Sequence, residues 1–490
     1  MRSSLLFLLA VAAASVGGPG LAQPTATAEL SPCRLRGVEH DALCGQLPRP
    51  LDPARPDGPQ IQVHYAVLPA LARNKKPDPV FFFAGGPGQS AIDLAGPMSR
   101  LLARFSNRRD IVLIDQRGTG RTAPLICAAP DPTQPLRELA DMDAARDRLA
   151  RCRTELQSLP HGVLRHYTTT VAMADAEAVR QALGSPQVNL LGGSYGTRAV
   201  LEYQRQFPQA VRRAVIDGVA PPDMVLPATV SPDSQAALDA WLSACAQDAA
   251  CDAAYPRLRE RWRTLQAGLP REVRLRHPVT GVDESLVLTA DMTASLLRLP
   301  LYVPALASAL PLAMSEAGDG RFEALFGLAS AMQGRRGVGE MAEGMHFSVV
   351  CAEDFPRLGT ATDAPGRDLG DGFAQLYRDV CADWPRGSVP ADFYTMPSAP
   401  APVLVLSGGM DPVTPPRHGE RTAAALGALA RHVVVPEAGH GVMGIGCMRD
   451  VLFRFIDTDD DAEALKVDAT CVLGIPRPPV FQPVRPGSGS

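Results

Sequence analysis

Short, nearly continuous apolar runs alternate with longer helical stretches through the first half of this chain. The runs Ile61–Leu68, Pro79–Ala84, Asp110–Ile114 and Gln187–Leu191 are rich in Val, Ile, Leu and Phe, and the last three lead into glycine-containing turns. That is the signature of strands. Near-continuous apolarity suits a sheet covered on both faces. Helices are predicted at Asp141–Leu159, Val171–Leu183 and Arg198–Phe207, the last followed by a further strand at Ala214–Asp217. From about Pro221 to Pro400 the alternation fades into helical segments at Ser234–Ala246, Pro256–Ala267, Thr293–Leu299 and Phe322–Met332, with Gly/Pro breaks between them. Strands resume at Val403–Leu406 and His432–Val435, with a helix at Met448–Ile456 behind them. Alternating strands and helices predict an α/β fold built on a doubly wound, mostly parallel sheet. The boundaries read from this pattern are a core at 23–221, an inserted and mainly helical lid at 222–400, and the rest of the core at 401–490.

Composition narrows the classes. Of 490 residues, 46% are hydrophobic and 20% charged, and the formal net charge is -4 with no long basic run. Nucleic-acid binding, which needs clustered Lys and Arg, is therefore not expected. At the N-terminus Arg2 precedes the apolar run Leu5–Val16 and the small-residue segment Gly20-Leu21-Ala22. This predicts a signal peptide over 1–22, cleaved after Ala22. The run is shorter than the roughly 20 residues that a membrane span needs. The mature chain is thus expected to be periplasmic or secreted and not embedded in a membrane. Its ten cysteines are even in number and none forms a C-x-x-C pair, so up to five disulfides are expected. Pairing neighbours in order (33–44, 127–152, 245–251, 351–381, 447–471) closes short local loops.

The chemistry concentrates in a few strings. Gly192-Gly193-Ser194-Tyr195-Gly196 matches G-x-S-x-G between a strand and a helix, the setting of a nucleophile elbow. A serine hydroxyl needs a base held by a third group. Asp411 follows an apolar strand in Ser407-Gly408-Gly409-Met410-Asp411-Pro412, and His440 follows the next strand in Glu437-Ala438-Gly439-His440-Gly441. The chain order Ser, Asp, His is that of the α/β-hydrolases. Asp217, at the end of its strand, is the main rival for the acid, and His418 is a rival for the base. Upstream, Phe81-Phe82-Phe83-Ala84-Gly85-Gly86-Pro87-Gly88 runs from a strand into a loop whose amides can face the site. Pro87 has no N–H, so Gly86, or else Gly85, is expected to complete an oxyanion hole with the Tyr195 amide.

With Gly85-Gly86-Pro87-Gly88, Asp115-Gln116-Arg117-Gly118-Thr119-Gly120-Arg121-Thr122 and Gly192-Gly193-Ser194-Tyr195-Gly196-Thr197, the chain resembles the prolyl iminopeptidase family of serine peptidases. Its length, leader, cysteines and Gly409-Met410-Asp411-Pro412-Val413-Thr414-Pro415 resemble the larger exported branch, which holds tripeptidyl aminopeptidase-like proteins and carboxylesterase relatives. The resemblance covers about Ile61–Ala220 and Pro402–Cys471, and much less of the lid. Two positions depart from the pattern: Ala84 replaces a His before the Gly-Gly-Pro-Gly, and Tyr195 stands where short iminopeptidases often carry Trp. Both argue against strict proline specificity. The resemblance implies that Asp115 and Arg117 are buried scaffold residues. It also implies that lid carboxylates read a free α-amino group, with Glu353 and Asp354 the candidates and Glu343 and Asp383 further options.

The expectation is an α/β-hydrolase with a helical lid, acting on peptides with a free N-terminus and using neither a metal nor an organic cofactor. Carboxylesterase chemistry on the same triad is the first alternative. A hydrolase-fold binding protein without catalysis is the second, and the intact Ser, Asp and His speak against it. The sequence does not speak to oligomeric state.

Overall fold

The structure is a computed structural model and describes residues 29–333 and 341–482; the expected signal peptide lies outside them. Its strands are β1 (Leu30–Cys33), β2 (Ala42–Pro50), β3 (Gln60–Leu68), β4 (Val80–Phe83), β5 (Ile111–Ile114), β6 (Val188–Gly193), β7 (Val211–Asp217), β8 (Arg271–Arg276), β9 (Asp283–Leu288), β10 (Val403–Gly408) and β11 (Ala430–Val435). Nine of them form one sheet in the order β1-β2-β3-β5-β4-β6-β7-β10-β11. Pairing is antiparallel from β1 to β5 through β2 and β3, and parallel from β5 to β11.

Consecutive residues of the central strands feed two separate cores. Phe81, Phe83, Val112, Ile114, Leu190, Ala214, Ile216, Val403 and Val405 lie in one. Phe82, Ile111, Leu113, Leu191, Val215, Leu404 and Leu406 lie in the other. Since side chains alternate across a strand, these strands read as largely continuous apolar runs because both faces are covered. The helices Thr169–Ala182 and Tyr195–Gln206 cover the first face, through Met173, Val179, Ala199 and Val200. The helix Met448–Asp457 covers the second, through Val451, Leu452 and Phe455.

The segment between β7 and β10 divides by the core it joins. Residues from Ala237 to Ala329 form a third apolar core around Trp241, Trp262, Leu297 and Phe322. The later helices Glu343–Glu353 and Gly372–Asp383 instead pack Met345, Phe347, Val350 and Tyr377 into the first core of the sheet. Only the earlier part of the insert therefore has a core of its own. It also holds the two-stranded hairpin β8–β9. Among the described residues no helix is long and apolar enough to cross a membrane.

All ten cysteines are paired as sequence neighbours: Cys33–Cys44, Cys127–Cys152, Cys245–Cys251, Cys351–Cys381 and Cys447–Cys471. The first staples β1 to β2, and Cys351–Cys381 ties together the two helices that join the insert to the main core.

Candidate active site

Ser194 sits on the turn between β6 and the helix Tyr195–Gln206, with φ at 55° and ψ at -124°. Left-handed φ is rare and strained for a residue with a Cβ, and such strain persists only where the surroundings hold it. Those surroundings are visible. The Ser194 N–H donates to the Asp217 carbonyl at 2.9 Å, while the Thr197 N–H and hydroxyl donate to the Ser194 carbonyl at 2.9 and 2.6 Å. Two glycines of the motif are set by crowding. A Cβ on Gly192 would meet the Gly196 carbonyl oxygen at 2.3 Å, and one on Gly196 would meet the Phe83 carbonyl oxygen at 2.1 Å. At Gly193 the nearest atom would be 3.8 Å away, so that position needs no glycine for space.

His440 lies in the loop after β11, and its Nδ1–H donates to Asp411 Oδ2 at 2.8 Å. Asp411 sits in the loop after β10, where it also accepts from the amides of Val413 and Thr414 at 2.9 Å each and from the Thr414 hydroxyl at 2.8 Å. Burial alone would raise the Asp411 pKa, but His440 and these donors hold it below the usual carboxylate range. Burial likewise opposes charge on His440, yet the Asp411 carboxylate outweighs it and lifts the imidazole pKa above the ordinary value.

Asp217 does not contact the imidazole through a hydrogen bond; it joins the two halves of the site. Its carbonyl holds the Ser194 amide, and its carboxylate accepts from the amides of Val442 and Met443, just beyond His440, at 2.7 and 2.8 Å. A Cβ on the neighbouring Gly218 would come within 3.3 Å of the His440 ring. Burial pushes Asp217 up to about 6. His418, the other rival, is buried against Asp233 Oδ2 at 2.8 Å.

The Gly-Gly-Pro-Gly loop leaves β4 in contact with the serine: a Cβ on Gly85 would meet Ser194 Cβ at 3.2 Å. Gly86 and Gly88 take φ of 111° and 116°, which glycine alone adopts readily. Tyr195 is the first residue of its helix, so its N–H has no partner within the helix and stands at the positive end of the dipole. The loop is braced from behind. Asp115 accepts from the Ser90 hydroxyl at 2.6 Å and from the amides of Ile92 and Arg121 at 3.1 and 3.2 Å. Arg117 forks onto both oxygens of Asp175 at 2.8 and 3.1 Å. Both are buried scaffold residues. From the insert, the Ala342 amide donates to the Gly88 carbonyl at 3.0 Å and His346 Nδ1 lies 3.1 Å from the Pro87 carbonyl oxygen.

The expected amine-binding pair does not face this site. Glu353 and Asp354 are each 1% exposed and are bound to a buried arginine. Arg198 Nη1 reaches Glu353 at 3.2 Å, and its two Nη atoms fork onto Asp354 at 2.9 and 3.0 Å. Glu353 also accepts from the Thr169 amide and hydroxyl at 2.7 and 3.0 Å, and the Thr169 hydroxyl meets the Tyr195 hydroxyl at 2.7 Å. The correction has a simple physical cause: the carboxylates neutralise a buried guanidinium, which a sequence read locally does not reveal. Of the other options, Glu343 pairs with Arg148 at 2.6 Å and Asp383 with Arg153 at 3.6 Å.

Sequence reading missed the aromatic groups of the insert, above all Tyr302, whose ring stands edge-on to His440 with centres 5.5 Å apart. A cavity of 570 Å³ opens elsewhere in the insert among Leu136, Met142, Met292, Leu296, Leu299 and Phe326, and neither Ser194, Asp411 nor His440 lines it. Among the described residues no cluster of three or more His, Cys, Asp or Glu is placed to hold a metal ion.

Residues 78–444 match the alpha/beta hydrolase fold family. The chain is 27% identical over 450 residues to the serine protease Hip1 of Mycobacterium tuberculosis, covering 84% of this chain and 85% of that protein. It is 29% identical over 433 residues to carboxylesterase B of the same species, covering 79% and 78%. With the tripeptidyl aminopeptidase of Streptomyces lividans it shares 30% identity over 194 residues, 36% of this chain and 35% of that protein. A match across most of its length, on a sheet of this topology, places the chain in the alpha/beta hydrolase fold family as a serine hydrolase.

Proposed function

We propose that this chain is an exported serine aminopeptidase that releases short N-terminal residues or peptides through an acyl-enzyme. Ser194 attacks the carbonyl carbon while His440 takes its proton, and Asp411 fixes the imidazole tautomer and stabilises the imidazolium. The amides of Gly86 and Tyr195 receive the oxyanion, each worth about 2.7–4 kcal/mol in the transition state. His440 then protonates the leaving amine, and water releases the acyl group. The observation that carries this reading is the 2.8 Å Asp411–His440 bond in a loop tied through Asp217 to the strained Ser194 turn. The peptidase part is supported by the names of Hip1 and the tripeptidyl aminopeptidase. Five disulfides suit an oxidising compartment.

A second reading, a carboxylesterase on the same triad, is favoured by one observation: Glu353 and Asp354 are engaged by Arg198 and are not available to a substrate amine. Initial rates on free-amine peptide nitroanilides, their N-acetylated counterparts and a short nitrophenyl ester separate the two. Strong preference for the free amine is expected. Indifference to the amine, with fast ester turnover and no anilide cleavage, would establish the esterase.

A further inference from the structure

The helix Ala290–Leu301 ends one residue before Tyr302 and carries Arg298 in its last turn. The Arg298 guanidinium carbon lies 4.8 Å from the ring centre of Phe373 and 6.0 Å from that of Tyr302. Its Nη1 donates to the Tyr302 hydroxyl at 3.4 Å, and Tyr302 stands against His440. On the other side Phe373 packs on Tyr377 with centres 4.9 Å apart, Tyr377 meets His346 Nε2 at 2.6 Å, and His346 reaches the Pro87 carbonyl. An aromatic wall thus runs from the imidazole to the Gly-Gly-Pro-Gly loop, and Arg298 is set into it.

Arg298 has no carboxylate partner among the described residues. The carboxylates whose fields reach Tyr302 and Tyr377 are Asp411, Asp354 and Glu343. Each is already engaged, by His440 at 2.8 Å, Arg198 at 2.9 Å and Arg148 at 2.6 Å. A guanidinium held against two rings has lost much of its freedom beforehand, and its planar fork matches a carboxylate. In acyl transfer the imidazole hands its proton to the leaving group. Residues packed on His440 therefore border the part of the substrate that departs.

We propose that Arg298 binds a carboxylate on the leaving part of the substrate, either the free C-terminus of a short peptide or an acidic side chain just beyond the cleaved bond. The proposal rests on the triad assigned above. It makes Arg298 a specificity residue for short or acidic peptides.

The test compares the mature full-length chain with Arg298→Gln and Arg298→Lys on matched substrates. One series holds a short peptide as free acid, as C-terminal amide, and as amide with Asp after the cleaved bond. A second holds 4-acetoxybenzoate against 4-acetoxybenzamide, which carry the carboxylate or its neutral analogue on the leaving phenol. For the unsubstituted enzyme we expect kcat/KM at least about tenfold higher for the carboxylates, the worth of one charge-assisted contact, carried mainly by KM. Arg298→Gln brings that ratio near one, and Arg298→Lys restores part of it. Which peptide arm shows the effect tells a free terminus from an acidic side chain. If only the esters are cleaved and their ratio depends on Arg298, the carboxylate site stands and the aminopeptidase reading falls. A ratio unchanged in folded Arg298→Gln, or no preference for the acid in either series, overturns it. A ratio near one for the unsubstituted enzyme overturns the proposal even where a variant fails to fold, and the conservative Arg298→Lys carries the assignment to this residue if Arg298→Gln does not fold.

Discussion

A methyl group on Gly196 would stand 2.1 Å from the Phe83 carbonyl oxygen, and neither backbone can withdraw without unseating Ser194. We expect Gly196→Ala to lose stability at or beyond the upper end of the roughly 1–3 kcal/mol that overpacking costs. Gly193→Ala, with open space around it, should leave the unfolding midpoint nearly unchanged; chemical denaturation of both variants checks the contrast. The titration of His440 makes a second expectation. The free base is the active form, and Asp411 lifts the imidazole pKa, so the acid limb of kcat/KM should fall above the ordinary value of about 6.5. Asp411→Asn removes the anion that favours the imidazolium. Its acid limb should move to lower pH, and kcat should drop by about 10⁴-fold through the wrong tautomer. A pH–rate profile of both proteins tests the sign.

Between elements, the decisive contact is the buried pairing of Arg198, on the helix behind Ser194, with Glu353 and Asp354 at the end of the insert helix. Arg198→Met leaves two carboxylates buried without their cation, a loss of about 3–5 kcal/mol. Burial already pushes Glu353 up to about 7, and removing the arginine raises it further. Folding of the variant then takes up protons, so its stability falls as pH rises through that pKa. Thermal melts should show a smaller deficit at pH 5 than at pH 8. The same contact shows what was legible in the sequence. Central strands β4, β5, β6, β7 and β10 were readable because both faces are covered and their runs are mainly apolar. Strands β3 and β11, partly exposed, still carry the apolar runs Tyr65–Leu68 and Val433–Val435. The short β1 and the β2 strand, which contains Pro48, Pro50 and Gly45, carry no such run. The hairpin strand β8 does alternate, as Arg-Glu-Val-Arg-Leu-Arg with only Val273 and Leu275 buried, and that signal was open to reading. For the site, Ser194, Asp411 and His440 announce themselves because each lies in its own glycine-bearing loop string. The pairing of Glu353 and Asp354 does not, since their partner Arg198 lies about 155 residues away in the chain. Tyr302 was hidden for the same reason.

Across the whole molecule, one sheet presents the ends of β4, β6, β7, β10 and β11 to a common edge, and every group assigned to the chemistry lies just past one of them. The insert closes over that edge from two sides, through Tyr302 against His440 and through the helix Glu343–Glu353 against the Gly-Gly-Pro-Gly loop. Cys351–Cys381 fastens that second contact, so replacing both cysteines by Ala should cost about 2–4 kcal/mol, seen as a lower unfolding midpoint. The most direct test of the whole assignment is mass spectrometry of the mature protein after reaction with a fluorophosphonate. We expect a single adduct on the peptide that contains Ser194, absent in folded Ser194→Ala. An adduct on another serine, or none on folded protein, would contradict Ser194 as the nucleophile.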